Sequence, residues 1–342
     1  MFDFRRESNC KVQNSNIKVI AVFIILLCQL KSFGGSLDIG KIGFGARAIA
    51  LGRSQVAAQD ISSIYMCPAN AAQISNVELV SMYSKFTEEV IYNYLGLGIP
   101  MLEGKLGGIG VAYLSTGVTS INNTALDNSG HPYVVSSFDQ SNKMLILSAG
   151  GKINSFFSSG VSIKFFTKSF EGINRGSANG FDADLGFIFN PNERGFIGLS
   201  AQNILPIDFG SLAWGSGATE DTPASLRIGG KFGLKENLAL LFDLDSEGVH
   251  SGVEWHPTKP LAIRGGFERM SDINSFSIGA GLELMGVSFD YAYSISSSFY
   301  EASTHYFSLG LKAPYRNFEV RPIAPAQEKE PQFSLIDAGF EN

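Results

Sequence analysis

The chain has 342 residues, 44% of them hydrophobic and only 17% charged, with 27 Phe, 11 Tyr, 38 Gly and a net charge of -6. That net charge argues against a nucleic-acid surface. With three cysteines, two of them near the N-terminus, it offers neither a disulfide framework nor a cysteine metal cluster. The aromatic and glycine content suits a wall of many strands with apolar outer positions and tight turns, with no composition shift to mark a second domain.

Residues 1–36 read as a signal peptide: Arg5, Arg6, Lys11 and Lys18 precede an apolar run over 19–27, then the small-residue stretch 32–36. That run is too short for a membrane helix, and lipidation at Cys28 is the weaker reading because Leu27 precedes it. Residues 37–76, with the small-residue stretch 43–74 at their centre, read as a helical plug broken by Gly and Pro. From 77 to 313 the hydrophobic period is two, the signature of strands with one apolar and one polar face.

Fourteen strands are predicted, at 77–84, 89–99, 105–115, 143–152, 157–167, 180–190, 195–203, 223–232, 237–245, 249–256, 260–269, 273–284, 287–294 and 304–312. Most are close to the ~9 to 11 residues that a tilted strand needs to cross a bilayer. Alternation separates Phe181, Ala183, Leu185 and Phe187 from Asp182 and Asp184, and Leu226, Ile228 and Phe232 from Arg227 and Lys231. The connections alternate strictly between short turns and another set that includes 116–142, 168–179 and 204–222, which a sandwich has no reason to do. The fold class is therefore all-β, a transmembrane antiparallel barrel of about fourteen strands with an N-terminal plug. The proline-containing stretch 314–342 reads as a flexible periplasmic tail.

The residues Gly45, Ala46, Arg47, Ala48, Leu51, Gly52, Val56, Ala57, Asp60, Ser62, Ser63, Tyr65, Pro68 and Ala69 resemble the N-terminal signature of FadL-like outer-membrane transport proteins, most closely the PorV/PorQ branch. The branch usually has Asn before the proline and Gly after Pro-Ala, where this chain has Cys67 and Asn70. A thiol bridges backbone groups poorly, whereas Asn70 tolerates the left-handed backbone that a Gly would take. The resemblance implies a cell outer-membrane location, contact with outer-membrane lipid, and either passage of hydrophobic small molecules or service as a partner in protein export.

Candidate lumen-facing charges are Lys164, Asp182, Asp184, Arg227, Lys231, Asp243, Asp245, Glu254, Arg264, Glu268, Glu283, Asp290 and Lys312. Two readings stand side by side: an anchor for the plug through Arg47 or Asp60 or a polar path, and an ion-pair network that fills a barrel. In this register Arg264 stands between the strands of Glu254 and Glu283. His250, Glu254 and His256 share a face, but successive same-face residues are ~6.6 Å apart, too far for one ion without a bulge. No metal, cofactor or catalytic triad is read, and the glycine pairs 107–108 and 279–281 lack the following helix of a phosphate loop. Gly96, Gly98, Gly108 and Gly110 would admit the plug or kink the wall, the latter opening a sideways exit as the resemblance implies. Phe86, Trp214, Trp255, Tyr291, Tyr293, Tyr300 and Phe307 read as boundary or lipid-facing aromatics. The apolar loop 204–222 either forms a landing site or folds over the mouth. A solute channel predicts a continuous apolar cavity from the outer loops to the plug, and a sealed, charge-filled lumen would sink it.

Overall fold

The computed structural model describes residues 42–86, 90–101, 106–172, 176–206, 209–270, 273–297 and 303–313. The expected signal peptide and tail lie outside the described residues, as do Tyr300 and the side chain of Phe86. Sixteen strands follow a short helix, α1 (Ala46–Ala50), and two 3-10 turns, Ile61–Ile64 and Pro68–Gln73. The first seven are β1 (Val77–Phe86), β2 (Val90–Met101), β3 (Gly107–Leu126), β4 (Pro132–Lys152), β5 (Phe157–Glu171), β6 (Gly176–Asn192) and β7 (Gly195–Gln202). A small hairpin, β8 (Ser211–Trp214) and β9 (Thr219–Asp221), interrupts the ladder. It resumes with β10 (Ser225–Lys235), β11 (Leu238–Asp245), β12 (Gly248–Thr258), β13 (Leu261–Met270), β14 (Ile273–Leu284), β15 (Val287–Ser296) and β16 (Ser303–Ala313).

Every neighbouring pair is antiparallel, β1 pairs with β16 and β5 with β6, so fourteen strands close into a ring with β8 and β9 outside it. Chemistry sets the two faces. On β6, Phe181, Leu185 and Phe187 are exposed while Asp182 and Asp184 are fully buried inside. Exposed Leu, Ile, Val and Phe recur on the outside of the ring from β1 to β16. An apolar outside running round a closed ring, with charged side chains inside it, is the pattern of a transmembrane barrel wall. Turns at the end shared with Val77 and Ala313 are short. At Met285-Gly286 both residues have positive φ, 52° and 82°, the twist of a two-residue hairpin.

The predicted loops 116–142 and 168–179 are largely strand. β3 and β4 run for 20 and 21 residues, twice what a bilayer requires, and β5 and β6 for 15 and 17. Their outer parts, rich in Ser, Thr and Asn, exceed the length that a bilayer requires, and there backbone pairing persists without the hydrophobic alternation. β8 pairs with the start of β6 through Ala178 and Trp214, so β3, β4, β5, β6, β8 and β9 form a flange rising from one side of the barrel.

Candidate functional site

Residues 44–74 lie within the ring and are almost all buried. Backbone meets backbone there because glycines line the wall. A Cβ on Gly160 would strike the Pro68 carbonyl, on Gly252 it would sit 2.6 Å from Leu51 O, on Gly108 2.7 Å from Ala71 O and on Gly198 2.6 Å from the Val56 side chain. Gly98 and Gly110 likewise make room for Ile61 and Ile64, as two of the predicted admission sites, whereas a Cβ on Gly96 would meet Tyr94 of the wall itself. The alternative, a kinked wall, is not seen: β2 and β3 pair without interruption from Val90↔Val118 to Met101↔Gly107.

The signature residues each have a physical task. Gly45 (φ 86°) begins α1, and Gly52 (φ 62°) ends its turn where a Cβ would press on Phe267 O and Ser251 O of the wall. Ala46 N donates to Ser308 Oγ at 2.7 Å. Asp60 accepts from Ser63 N while Asp60 N donates to Ser63 Oγ, a reciprocal cap on the first 3-10 turn, and its other oxygen pairs with Arg47. Tyr65 packs against Phe44, the rings tilted at 36° with centroids 3.9 Å apart, and its carbonyl accepts from Gln202. Pro68 opens the second 3-10 turn, and Ala69 sits against Gly160 and Gly186. Asn70 is the hub: Nδ2 donates to Val56 O, Ser63 O and Cys67 O, and Oδ1 accepts from Gln59 N. It does not use the left-handed backbone it would tolerate, because the chain continues through it in the 3-10 turn. The Cys67 thiol, 3.7 Å from Leu199 O, is held neutral, its pKa pushed up to about 12 by burial.

The predicted charges line the lumen, and several of them grip this segment. Glu254 takes Arg47 in a bidentate pair at 2.8 and 2.9 Å, and Arg264 binds the same carboxylate at 2.7 Å and Asp290 at 2.5 Å. Burial opposes the Arg47 charge but the Glu254 and Asp60 carboxylates outweigh it, leaving its pKa raised. Asp243 accepts from Gln55 N and Val56 N at 2.7 and 3.0 Å. Arg227 pairs with Asp245 and reaches Arg53 O, while Lys231 reaches Ala58 O. Lys164 pairs with Asp184 at 2.7 Å. Glu283 is not beside Arg264 but pairs with Lys312 at 3.5 Å near the short-turn end. Arg53, paired with Glu268, was missed, its only sequence signal being a lone cation among small residues. His250 belongs to the same cluster, its Nδ1 3.1 Å from Gly52 O and its Nε2 3.3 Å from Asp245. Among the described residues no group of three His, Cys, Asp or Glu could hold a metal.

The rest of the lumen is different. Tyr92, Leu114, Met144, Ile146 and Tyr306 pack with Phe44, Tyr65 and Met66 of the segment, all almost wholly buried. The Tyr92 hydroxyl donates to Gly43 O at 2.9 Å. At this level the lumen is packed, not a continuous apolar cavity. At the short-turn end a cavity of about 270 Å³ is lined by Arg47, Asp60, Lys231, Glu254, Asp290 and Lys312 among others. On the flange, an aromatic row joins Phe138 to Phe170 (6.2 Å) and Phe170 to Trp214 (5.6 Å, stacked). Trp214 is thus in the flange and not on the lipid face, whereas Trp255, Phe307, Tyr291 and Tyr293 point outward as expected. The ends of the loop 204–222 are tied inward, Leu205 N and Thr222 Oγ1 both donating to luminal Asp182, while its middle is the β8–β9 hairpin of the flange.

No family profile and no curated protein matches this sequence. Solved structures do match. CymD, a monoaromatic hydrocarbon channel, aligns with a TM-score of 0.62 at 11% identity over 82% of this chain and 99% of its own. In fold, the barrel is similar to hydrocarbon channels. The Pseudomonas putida toluene transporter TodX gives 0.58 at 12% identity over 80% and 99%, and a Pseudomonas aeruginosa FadL homologue 0.51 at 13% over 80% and 100%.

Proposed function

We propose that this chain is an outer-membrane barrel that carries hydrophobic small molecules across that membrane, with residues 37–76 as its plug. Residues 1–36 would be the signal peptide and 314–342 a periplasmic tail. The observation that carries this reading is the apolar half of the lumen. The segment places Phe44, Tyr65 and Met66 there, among Tyr, Met, Leu and Ile side chains, where an aromatic or aliphatic solute would fit once they withdrew. The flange row Phe138, Phe170 and Trp214 would collect solute above it. The fold shared with hydrocarbon channels supports the same reading. Because the resting lumen is packed, passage requires displacement of the segment.

A second reading keeps the PorV/PorQ resemblance in view: a sealed barrel that shuttles or anchors exported proteins. It is favoured by the ionic grip of Arg47 and Arg53 on the wall and by the unbroken β2–β3 ladder. Uptake of a labelled monoaromatic solute by cells making the wild type or Phe44→Ala separates the two. Uptake above the empty-vector control, increased by the variant, supports transport. Background uptake in both, together with an exported protein that co-purifies and is lost on shortening the flange, replaces it with the second.

A further inference from the structure

The lipid-facing wall is not uniform, and its exception lies on β1, β16 and β15. Cross-strand pairing sets residues there in rows. Tyr83, Phe307 and Tyr291 form one, and His305 stands opposite Tyr293 in the next, towards the end away from the short turns. Lys85 completes that upper row: Ser84 pairs with Tyr306 and its hydroxyl donates to the His305 carbonyl at 2.9 Å, so the following residue faces His305 on the outside. Below these rows the same strands carry mainly leucine, valine and phenylalanine. From the middle outward the wall thus passes from aliphatic to aromatic to cationic, the sequence of layers in a lipid leaflet from chains to headgroups.

The two rows together present donors that the described residues do not satisfy. The Tyr291 hydroxyl and His305 Nδ1 are 2.8 Å apart and share one proton. Whichever group donates it, the other O–H or N–H of the pair is left facing outward. The Tyr293 ring lies 5.0 Å from the His305 ring, and the exposed Lys85 has no ion-pair partner among the described residues. Hydrocarbon offers these groups no acceptor, and no carboxylate stands among the six residues. One cation and two or three donors at neighbouring positions of three adjacent strands match the oxygens of a phosphate.

We propose that Lys85, His305, Tyr291 and Tyr293 bind the phosphate of an outer-leaflet lipid headgroup, with Tyr83 and Phe307 as the platform for its chains. This rests on the membrane reading of the barrel wall. The test uses the full-length protein in neutral detergent, with bisphosphorylated lipid A and its dephosphorylated form as probes, read by native mass spectrometry and thermal midpoint. Expected are one retained phosphorylated lipid, weak retention of the dephosphorylated form, and a roughly tenfold weaker interaction in the Lys85→Ala/His305→Ala variant. Lys143→Ala and Arg269→Ala, which remove exposed outward cations on other strands, are expected to bind as the wild type does. Equal retention of both lipids, equal loss in the Lys143 and Arg269 variants, or loss on chelating divalent cations would each overturn the proposal. Heat-modifiable migration verifies that each variant is a folded barrel. A wild type soluble without detergent would overturn the membrane reading itself, a different result from failure to bind lipid.

Discussion

The two halves of the lumen hold the same segment by opposite means. From β10 to β13 the wall offers Asp243, Glu254, Glu268 and Arg227, and the segment answers with Arg47, Arg53 and backbone groups in fixed directions. From β1 to β4 it offers Met82, Tyr92, Leu114, Met144 and Ile146, and the segment answers with Phe44, Tyr65 and Met66. Ion pairs in a dry interior demand geometry, and losing one partner strands the other, whereas apolar packing tolerates exchange of shape at constant volume. The ionic half is the latch and the apolar half the part that can repack around a guest.

The largest change is expected where backbone meets backbone. Gly160→Val would drive a side chain into Pro68 and is expected to abolish the heat-modifiable folded form or to expel the segment, read as new protease cleavage within residues 42–76. Arg53→Ala on the latch side leaves buried Glu268 with only His250, 3.4 Å away, and is expected to cost about 3 to 5 kcal/mol, whereas Met144→Leu on the packing side costs less than about 1.5 kcal/mol. Equal losses in thermal unfolding would erase the distinction between the halves. Asn70→Ala removes four hydrogen bonds from the segment itself and is expected to cost about 1 to 3 kcal/mol, with its protease sensitivity rising in step.

The smallest effect concerns Cys67. Its thiol pKa of about 12 lies above the ~8.5 of an unfolded cysteine, so the folded state holds the proton more tightly. That contribution is complete below pH ~8.5 and is lost progressively as pH rises from there towards 12. Stability of the wild type is expected to decline over that window more than that of Cys67→Ala, and iodoacetamide at pH 8 is expected to label the thiol only after denaturation or displacement of the segment.

The ionic half was legible in the sequence and the apolar half was not. In β13, buried Arg264 and Glu268 alternate with outward Ile263, so parity alone assigns inside and outside. In β2, Tyr92 and Tyr94 point inward while Ile91 and Leu95 point outward, and with both faces apolar the pattern does not say which one meets lipid. The same limit hid the flange, whose polar outer strands carry pairing without alternation. Arg53 and Asn70 were silent as anchors because their partners lie far along the chain, Glu268 on β13 for one, or are carbonyls with no side-chain signature, Val56 O for the other.

The central claim, that an ionic latch holds the segment across the lumen, is tested most directly by conductance in planar bilayers. Wild-type protein is expected to be nearly silent and the Arg47→Ala/Arg53→Ala variant, folded by heat-modifiable migration, to open steps of a barrel this size. Wild-type conductance equal to that of the variant would contradict it.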